Sequence, residues 1–98
     1  MKLLRINEMV IDNAVEINSK TVMDALFDMG AKIVNVNHNT TLSEILFDYN
    51  NQKAVLYFAN NKKTLQISHN DIIIKSTKRV KTYAELVAVL TDLLKRVF

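Results

Sequence analysis

The stretch over residues 42–76 decides the fold of this chain. It reads LSEILFDY (42–49), KAVLYFA (53–59), KTLQIS (63–68) and DIIIKS (71–76), with the breaks NNQ, NNK and HN between these runs. Short runs rich in β-branched and aromatic residues, separated by turn-forming residues, are typical of an antiparallel meander. Asparagine suits these turns because it accepts left-handed backbone better than most other residues that carry a side chain. The stretch therefore predicts four consecutive antiparallel strands.

Alternation of side chains assigns these strands two faces. Ile45 and Phe47 share one face of the first strand, and Leu65 and Ile67 share one face of the third. The other face of the third strand is polar. The run over residues 54–59 is apolar on both faces, which predicts a central strand covered on two sides. Such a sheet requires helices to cover it.

The first covering helix is predicted over residues 19–29. Asn18 or Ser19 can cap its N-terminus. Gly30 is the only glycine of the chain, and it falls where a helix commonly ends in left-handed backbone. The apolar stripe of this helix consists of Val22, Ala25, Leu26 and Met29.

The second covering helix is predicted over residues 82–97. Thr82 and Glu85 have the spacing of a capping box, and Lys95 with Arg96 suits a helix C-terminus. A broad apolar face can cover much of the sheet, and it consists of Tyr83, Leu86, Val87, Leu90, Leu93, Leu94 and Val97.

The remaining segments complete a single domain. Residues 2–17 fit either a helix or strands, and strands are favoured because Val and Ile dominate there. Residues 31–36 predict a further strand, followed by a polar loop over 37–41. We therefore predict one compact α+β domain over residues 1–98, an antiparallel meander of about five strands packed with the two helices.

Composition excludes several classes of protein. The chain has 98 residues, enough for one domain, and 49% of them are apolar, which excludes a disordered tail. The absence of cysteine excludes disulfides and thiolate metal sites, and no apolar run is long enough to span a bilayer. Charge appears too early for a secretory signal, so a cytoplasmic protein is expected. Abundant Asn, Lys and Ile are typical of an AT-rich genome, which favours a low-GC bacterium, its phage or another mobile element.

Charge is distributed unevenly along the chain. Residues 1–50 carry four basic and seven acidic groups, whereas residues 51–98 carry nine basic and three acidic groups.

The best candidate for a binding site is a set of residues that we call the basic patch: Lys75, Lys78, Arg79, Lys81, Lys62 and Lys63. The adjacent helix N-terminus attracts anions, so a phosphate or an acidic side chain is the expected ligand. The alternative is that these side chains only solvate loops and discourage edge pairing.

One helix resembles a nucleic-acid-binding element. Residues 17–22, continuing through Leu26 to Gly30, resemble the turn and second helix of helix-turn-helix modules, and they are similar to the N-terminal module of bacterial translation initiation factor two. The resemblance implies a helix that reads DNA. Asp24 and Asp28 would face outward on that helix and repel phosphate. We therefore favour an ordinary packing helix.

No catalytic or metal-binding motif is recognisable in the sequence. His38 and His69 fall in predicted loops, and neither has a partner at metal-ligand spacing. We therefore predict no catalytic residue, no metal and no cofactor. Four aromatic side chains of the meander could stack on bases if they were exposed, but burial is favoured for this group: Phe47, Tyr49, Tyr57 and Phe58.

Size, charge and the missing motifs favour a small non-enzymatic protein-interaction module. A regulator or inhibitor encoded by a phage or mobile element, which acts by binding a protein partner, fits these observations. The alternative is a nucleic-acid-binding protein that uses the basic C-terminal half. No membrane partner is expected, and the sequence is compatible with a homodimer.

Overall fold

A computed structural model describes residues 16–98. The strands expected within residues 2–17 fall outside this range, except for residues 16 and 17, which belong to no strand. The described elements are α1 (Ser19–Asp28), β1 (Lys32–His38), β2 (Leu42–Tyr49), β3 (Gln52–Ala59), β4 (Thr64–His69), β5 (Ile72–Ser76) and α2 (Tyr83–Val97). The α+β class is confirmed, and the two predicted helices lie where expected.

The five strands form one antiparallel sheet in chain order, β1-β2-β3-β4-β5, which confirms the meander. Two-residue turns join β2 to β3 and β4 to β5. Asn50 and Asn51 have φ values of 52° and 63°, and Asn70 and Asp71 have 49° and 67°. Two successive residues at positive φ define the type I′ turn, whose twist matches that of the flanking strands. Asparagine therefore serves at the turns as the sequence predicted.

The break between β4 and β5 lies one residue later than predicted. The sequence analysis set it at His69 and Asn70, but the turn consists of Asn70 and Asp71, and His69 is the last residue of β4. The type I′ turn requires two adjacent left-handed residues, which Asn and Asp tolerate. His69 instead pairs with Ile72 across the sheet and is buried.

Strand β1 is longer than predicted. It continues through His38, because Asn37 pairs with Glu44 and His38 pairs with Ser43. Only residues 39–41 remain as the loop, and the Asn39 side chain closes it by accepting the Leu42 N–H at 2.7 Å. A bulge between residues 33 and 35 interrupts the pairing of β1 with β2.

The helices cover one face of the sheet. Helix α2 packs against β4 and β5, and α1 packs against β1 and α2. The core between them contains Val22, Leu26, Ile45, Phe47, Leu56, Phe58, Leu65, Ile67, Leu86 and Leu90, all fully buried.

The expectation that β3 is covered on two sides is wrong for the described part of the chain. Ala54, Leu56 and Phe58 are buried, but Val55 and Tyr57 on the opposite face are only half-buried. We call that opposite face the open face.

Helix α1 ends in a Schellman motif at Gly30, which has a φ of 96°. The Gly30 N–H donates to the Phe27 carbonyl, and the Ala31 N–H donates to the Leu26 carbonyl, both at 3.0 Å. At the other end, the Asn18 side chain accepts the Thr21 N–H at 3.0 Å and caps the helix. Both ends of α1 are therefore closed by local hydrogen bonds.

We expect Gly30→Ala to lower the free energy of unfolding by about 1 kcal/mol. A Cβ atom added at Gly30 would meet no heavy atom within 4 Å, so the cost comes only from the positive φ. Chemical denaturation measures the loss. Gly30→Asn is the matched control and should lose less, because asparagine tolerates left-handed backbone. A denaturation midpoint for Gly30→Ala equal to or above that of the wild type would show that the φ at this position carries no strain.

Candidate functional site

The structure places one member of the basic patch inside the fold. The Lys63 ammonium donates to the Ile17 carbonyl at 2.6 Å and lies 5.7 Å from the centroid of the Phe58 ring. The Lys63 carbonyl accepts the Val80 N–H at 2.9 Å. Lys63 thus joins three segments that are distant in sequence. Its contacts are those of a structural residue and not of a free cation.

Two further members of the patch are engaged near the start of α2. The Lys78 ammonium lies 3.6 Å from a Glu85 carboxylate oxygen, and the Arg79 guanidinium donates to the Asn61 carbonyl at 3.0 Å. Glu85 also accepts the backbone N–H of Lys81 at 2.9 Å and completes the predicted capping box with Thr82. The hydrogen bond from the Lys81 N–H, more than any other contact, lowers the pKa of Glu85. The helix N-terminus that was expected to attract an external anion already holds this internal carboxylate.

The other lysines of the patch are arranged differently. Lys62 and Lys75 border a shallow depression of about 140 Å³ on the open face, whose remaining wall includes Leu42, Tyr57 and Gln66. Lys81 is exposed before α2. The structure therefore brings Lys62 and Lys75 to one depression and directs Lys63, Lys78 and Arg79 into contacts within the fold. Lys62, Lys75, Lys78, Arg79 and Lys81 are all exposed, and the patch stays a prediction.

The open face carries a mixed apolar and polar surface. Leu46, Val55 and Tyr57 are half-buried there, and Leu42 and Ile73 have 37% and 62% of their surface exposed. A second depression, of about 210 Å³, is lined by Leu46 and Val55 together with Asn35, Asn37 and Glu44. Neither described helix covers these side chains, since both helices pack on the other face.

Glu44 and Tyr57 lie opposite each other on β2 and β3, between the two depressions. The pKa of Tyr57 is raised, chiefly by burial and further by the charge and the hydrogen bond of Glu44. The Glu44 carboxylate also accepts a hydrogen bond from the Asn37 amide at 3.1 Å. A held carboxylate at the centre of the open face disfavours the approach of phosphate.

Sequence analysis missed a polar cluster formed by His38, Ser43 and Asn60. The Asn60 amide N–H donates to the Asn39 carbonyl at 2.9 Å, so the amide oxygen of Asn60 accepts the Ser43 hydroxyl at 3.0 Å. His38 Nδ1 lies 3.2 Å from the Ser43 oxygen. The same ring nitrogen lies 3.4 Å from the Ser19 hydroxyl oxygen. Ser43 is buried, and the cluster joins β1, β2 and the loop after β3.

His69 also differs from the sequence-based expectation, since it is a buried residue at the end of β4. Its ring stacks on Phe98, with 4.1 Å between the ring centroids, and Nδ1 lies 2.8 Å from the Lys53 carbonyl. Nε2 lies 2.8 Å from the side-chain oxygen of Gln52. Both ring nitrogens therefore have partners within the fold. Among residues 16–98, no group of three or more potential ligands could hold a metal ion.

The aromatic group of the meander is divided between the two faces. Phe47 and Phe58 are fully buried, as favoured, whereas Tyr49 and Tyr57 are half-buried. Tyr49 makes an edge contact with Phe98 on the helix-covered face, with 5.1 Å between centroids. Only Tyr57 presents an aromatic ring on the open face. The stacking platform of several exposed rings that is typical of sheet-based RNA binders is absent from the described strands.

Helix α1 packs against β1 and α2. It buries Val22, Ala25 and Leu26 in the core. Neither α1 nor α2 is long and apolar enough to cross a membrane. Comparison with protein-family models, with curated proteins and with solved structures finds no match for this chain.

Proposed function

We propose that this chain is a non-enzymatic interaction module that binds a protein partner through the open face of its sheet. The observation that carries the proposal is the set of apolar side chains that the described helices leave on this face. Leu46, Val55 and Tyr57 form its centre, and the more exposed Leu42 and Ile73 extend it. Contiguous apolar surface rimmed by polar groups commonly marks a protein-binding site.

The chemistry of the face suggests the kind of surface that it accepts. The depression beside Tyr57 has apolar walls from Leu42 and Ala59, and the ammonium groups of Lys62 and Lys75 border it. A partner side chain that enters this depression would therefore be apolar, with an acidic neighbour. A module that covers a surface of its partner in this way would act as a regulator or inhibitor without performing chemistry.

Nucleic acid is the second candidate, and the geometry favours it less. Glu44 and Asp48 lie on the open face, where Asp48 pairs with Lys53 at 3.3 Å, and Lys63 of the basic patch is engaged within the fold. Binding to nucleic acid depends on the number of phosphates that free cations neutralise. On the open face Lys62 and Lys75 stand beside the Glu44 carboxylate and an apolar surface, so protein binding is the better-supported function.

The test is affinity capture of partners from a bacterial lysate with immobilised wild-type and variant protein. The variant Leu46→Thr/Val55→Thr removes apolar surface at the centre of the open face and places β-branched threonine, which suits strands, at both positions. We expect its affinity for a captured protein to fall about tenfold or more, since apolar side chains near the centre of an interface contribute most of the binding energy.

Phe27→Ser is the matched control, because Phe27 is an apolar side chain of α1 with 71% of its surface exposed, away from the open face. It should leave binding unchanged. Loss of the partner with Phe27→Ser but not with the double variant would place the binding surface on α1 and contradict the proposal. Binding of DNA or RNA that falls steeply with salt, and that Lys62→Ala/Lys75→Ala weakens, would favour the second candidate.

A further inference from the structure

Strand β5 is an edge strand with unusual exposure. Among the described strands it pairs only with β4, and Ile72 and Ile73 have 44% and 62% of their surface exposed. Natural proteins protect edge strands with bulges, prolines or charged side chains, and Lys75 is the single charged residue of β5. The opposite edge, β1, carries a bulge between Ile33 and Asn35. Strand β5 pairs with β4 without a register shift over all of its residues.

The turn before β5 determines which backbone groups face outward. In the type I′ turn at residues 70 and 71, the N–H of Ile72 donates to the carbonyl of His69. Hydrogen-bonded and non-bonded pairs alternate along an antiparallel ladder, so Ile74 and Ser76 also direct their backbone groups toward β4. The N–H and C=O groups of Ile73 and Lys75 therefore point to the free edge.

We propose that two copies of this chain associate through antiparallel pairing of their β5 strands, with the Ile73 residues opposite each other on the two-fold axis. In this register the outward N–H and C=O groups of Ile73 in one copy bond those of Ile73 in the other. The two Ile73 side chains meet on the open face, and Ile72 meets Ile74 of the second copy on the helix-covered face.

Charge complementarity favours this register. It also favours a second copy of the chain as the partner that binds the β5 edge. Two residues from the axis, Asp71 of each copy lies opposite Lys75 of the other, so the interface gains two pairs of opposite charge. A register centred on Lys75 would place two ammonium groups against each other, which is unfavourable. The edge is thus complementary to itself through Ile72–Ile74 of β5, with Asp71 of the turn and Lys75 as the flanking charges. A strand of five residues gives a weak, concentration-dependent dimer.

The absence of cysteine permits a direct test of the register in the full chain. In Ile73→Cys the two thiols would face each other across a hydrogen-bonded pair, with about 5.5 Å between Cα atoms, which suits a disulfide. In the control Lys75→Cys, the thiols of the two copies would lie about 14 Å apart along the strands. We expect mild oxidation to cross-link the first variant and not the second. Equal cross-linking of both, or of neither, would overturn the proposal.

Charge exchange gives an independent measurement in solution. Asp71→Lys and Lys75→Asp each place like charges opposite each other, so each variant alone should self-associate about tenfold more weakly than wild type in sedimentation experiments. An equimolar mixture of the two variants restores opposite charges at both positions and should dimerise as wild type does. A lysine at positive φ is tolerated in this fold, since Lys63 has a φ of 57°.

Amide exchange of the wild type distinguishes the other occupants of this edge. The Ile73 and Lys75 amides should gain protection as protein concentration rises, and the Ile74 amide should be protected throughout. Protection of Ile73 and Lys75 that does not depend on concentration would mean that another part of the same chain covers the edge. Fast exchange of both amides at every concentration would mean that copies of this chain do not pair at the edge. An extended segment of a different protein would then be the partner to test. Either result overturns the proposal.

Discussion

Leu90→Ala is expected to lower the free energy of unfolding by about 2–5 kcal/mol. Leu90 is fully buried in α2 and belongs to the core between this helix and the sheet. Truncation removes apolar contacts and leaves a cavity that the surrounding strands fill only in part. Domains of this size are commonly stable by about 5–15 kcal/mol, so the loss is a large fraction of the total. Urea denaturation followed by circular dichroism measures it.

The matched control is Leu42→Ala at the start of β2. It removes the same atoms from a side chain with 37% of its surface exposed on the open face, so we expect a loss of about 1 kcal/mol or less. Similar losses for the two variants would mean that α2 does not form part of the core. It would then be a docking element, and the open face would no longer be the preferred binding surface.

Phe58→Ala should destabilise the domain by about 3–5 kcal/mol, the largest loss that we expect from one substitution. Phe58 lies fully buried on the central strand β3, and the Lys63 ammonium sits 5.7 Å from its ring centroid. Removal of the ring therefore costs apolar contacts and also the attraction between the cation and the aromatic face. Thermal unfolding and urea denaturation both measure the change.

The neighbouring substitution Tyr57→Ala tests the register of β3. Tyr57 points to the open face and is half-buried, so its truncation should cost about 1 kcal/mol and should weaken partner binding instead. Two adjacent residues are thus expected to have opposite consequences, one for stability and one for binding. Because a shift of one residue exchanges the faces of a strand, a reversed result would show that the register is wrong.

Local chemistry explains why much of the fold could be predicted from the sequence. Gly30 ends α1 because that position requires positive φ, and Thr82 with Glu85 begins α2 as a capping box. Asparagines mark the hairpin turns for the same conformational reason. These signals depend only on residue types within a few positions of each other, so they can be recognised in the sequence alone.

The errors arose where contacts between distant segments decide the outcome. His69 was interpreted as part of a turn, but its ring fills a space beside Phe98, which lies 29 positions further along the chain. Val55 and Tyr57 were expected to be covered because they are apolar, although the helices pack on the other face of β3. Periodicity identifies two faces, but it does not tell which of them a helix will cover.

The same limit applies to the candidate site. The basic patch was defined by closeness in sequence, but Lys63 contacts the Ile17 carbonyl across 46 positions of the chain. Lys62, in the turn before β4, and Lys75 on β5 border one depression. The polar cluster of His38, Ser43 and Asn60 was missed because its three members lie in separate strands and loops. No spacing in the sequence connects them.

The order of the strands has a consequence for the newly made chain. Each strand of the sheet pairs with the one that precedes it, so the pairings need only short loops to close, which favours rapid folding. Helix α2 can cover β4 and β5 only after it has been synthesised, and it follows all five strands in the chain. During synthesis the sheet can therefore assemble while Leu65 and Ile67 still face water. Until α2 has been made, this apolar face is a surface that chaperones can bind.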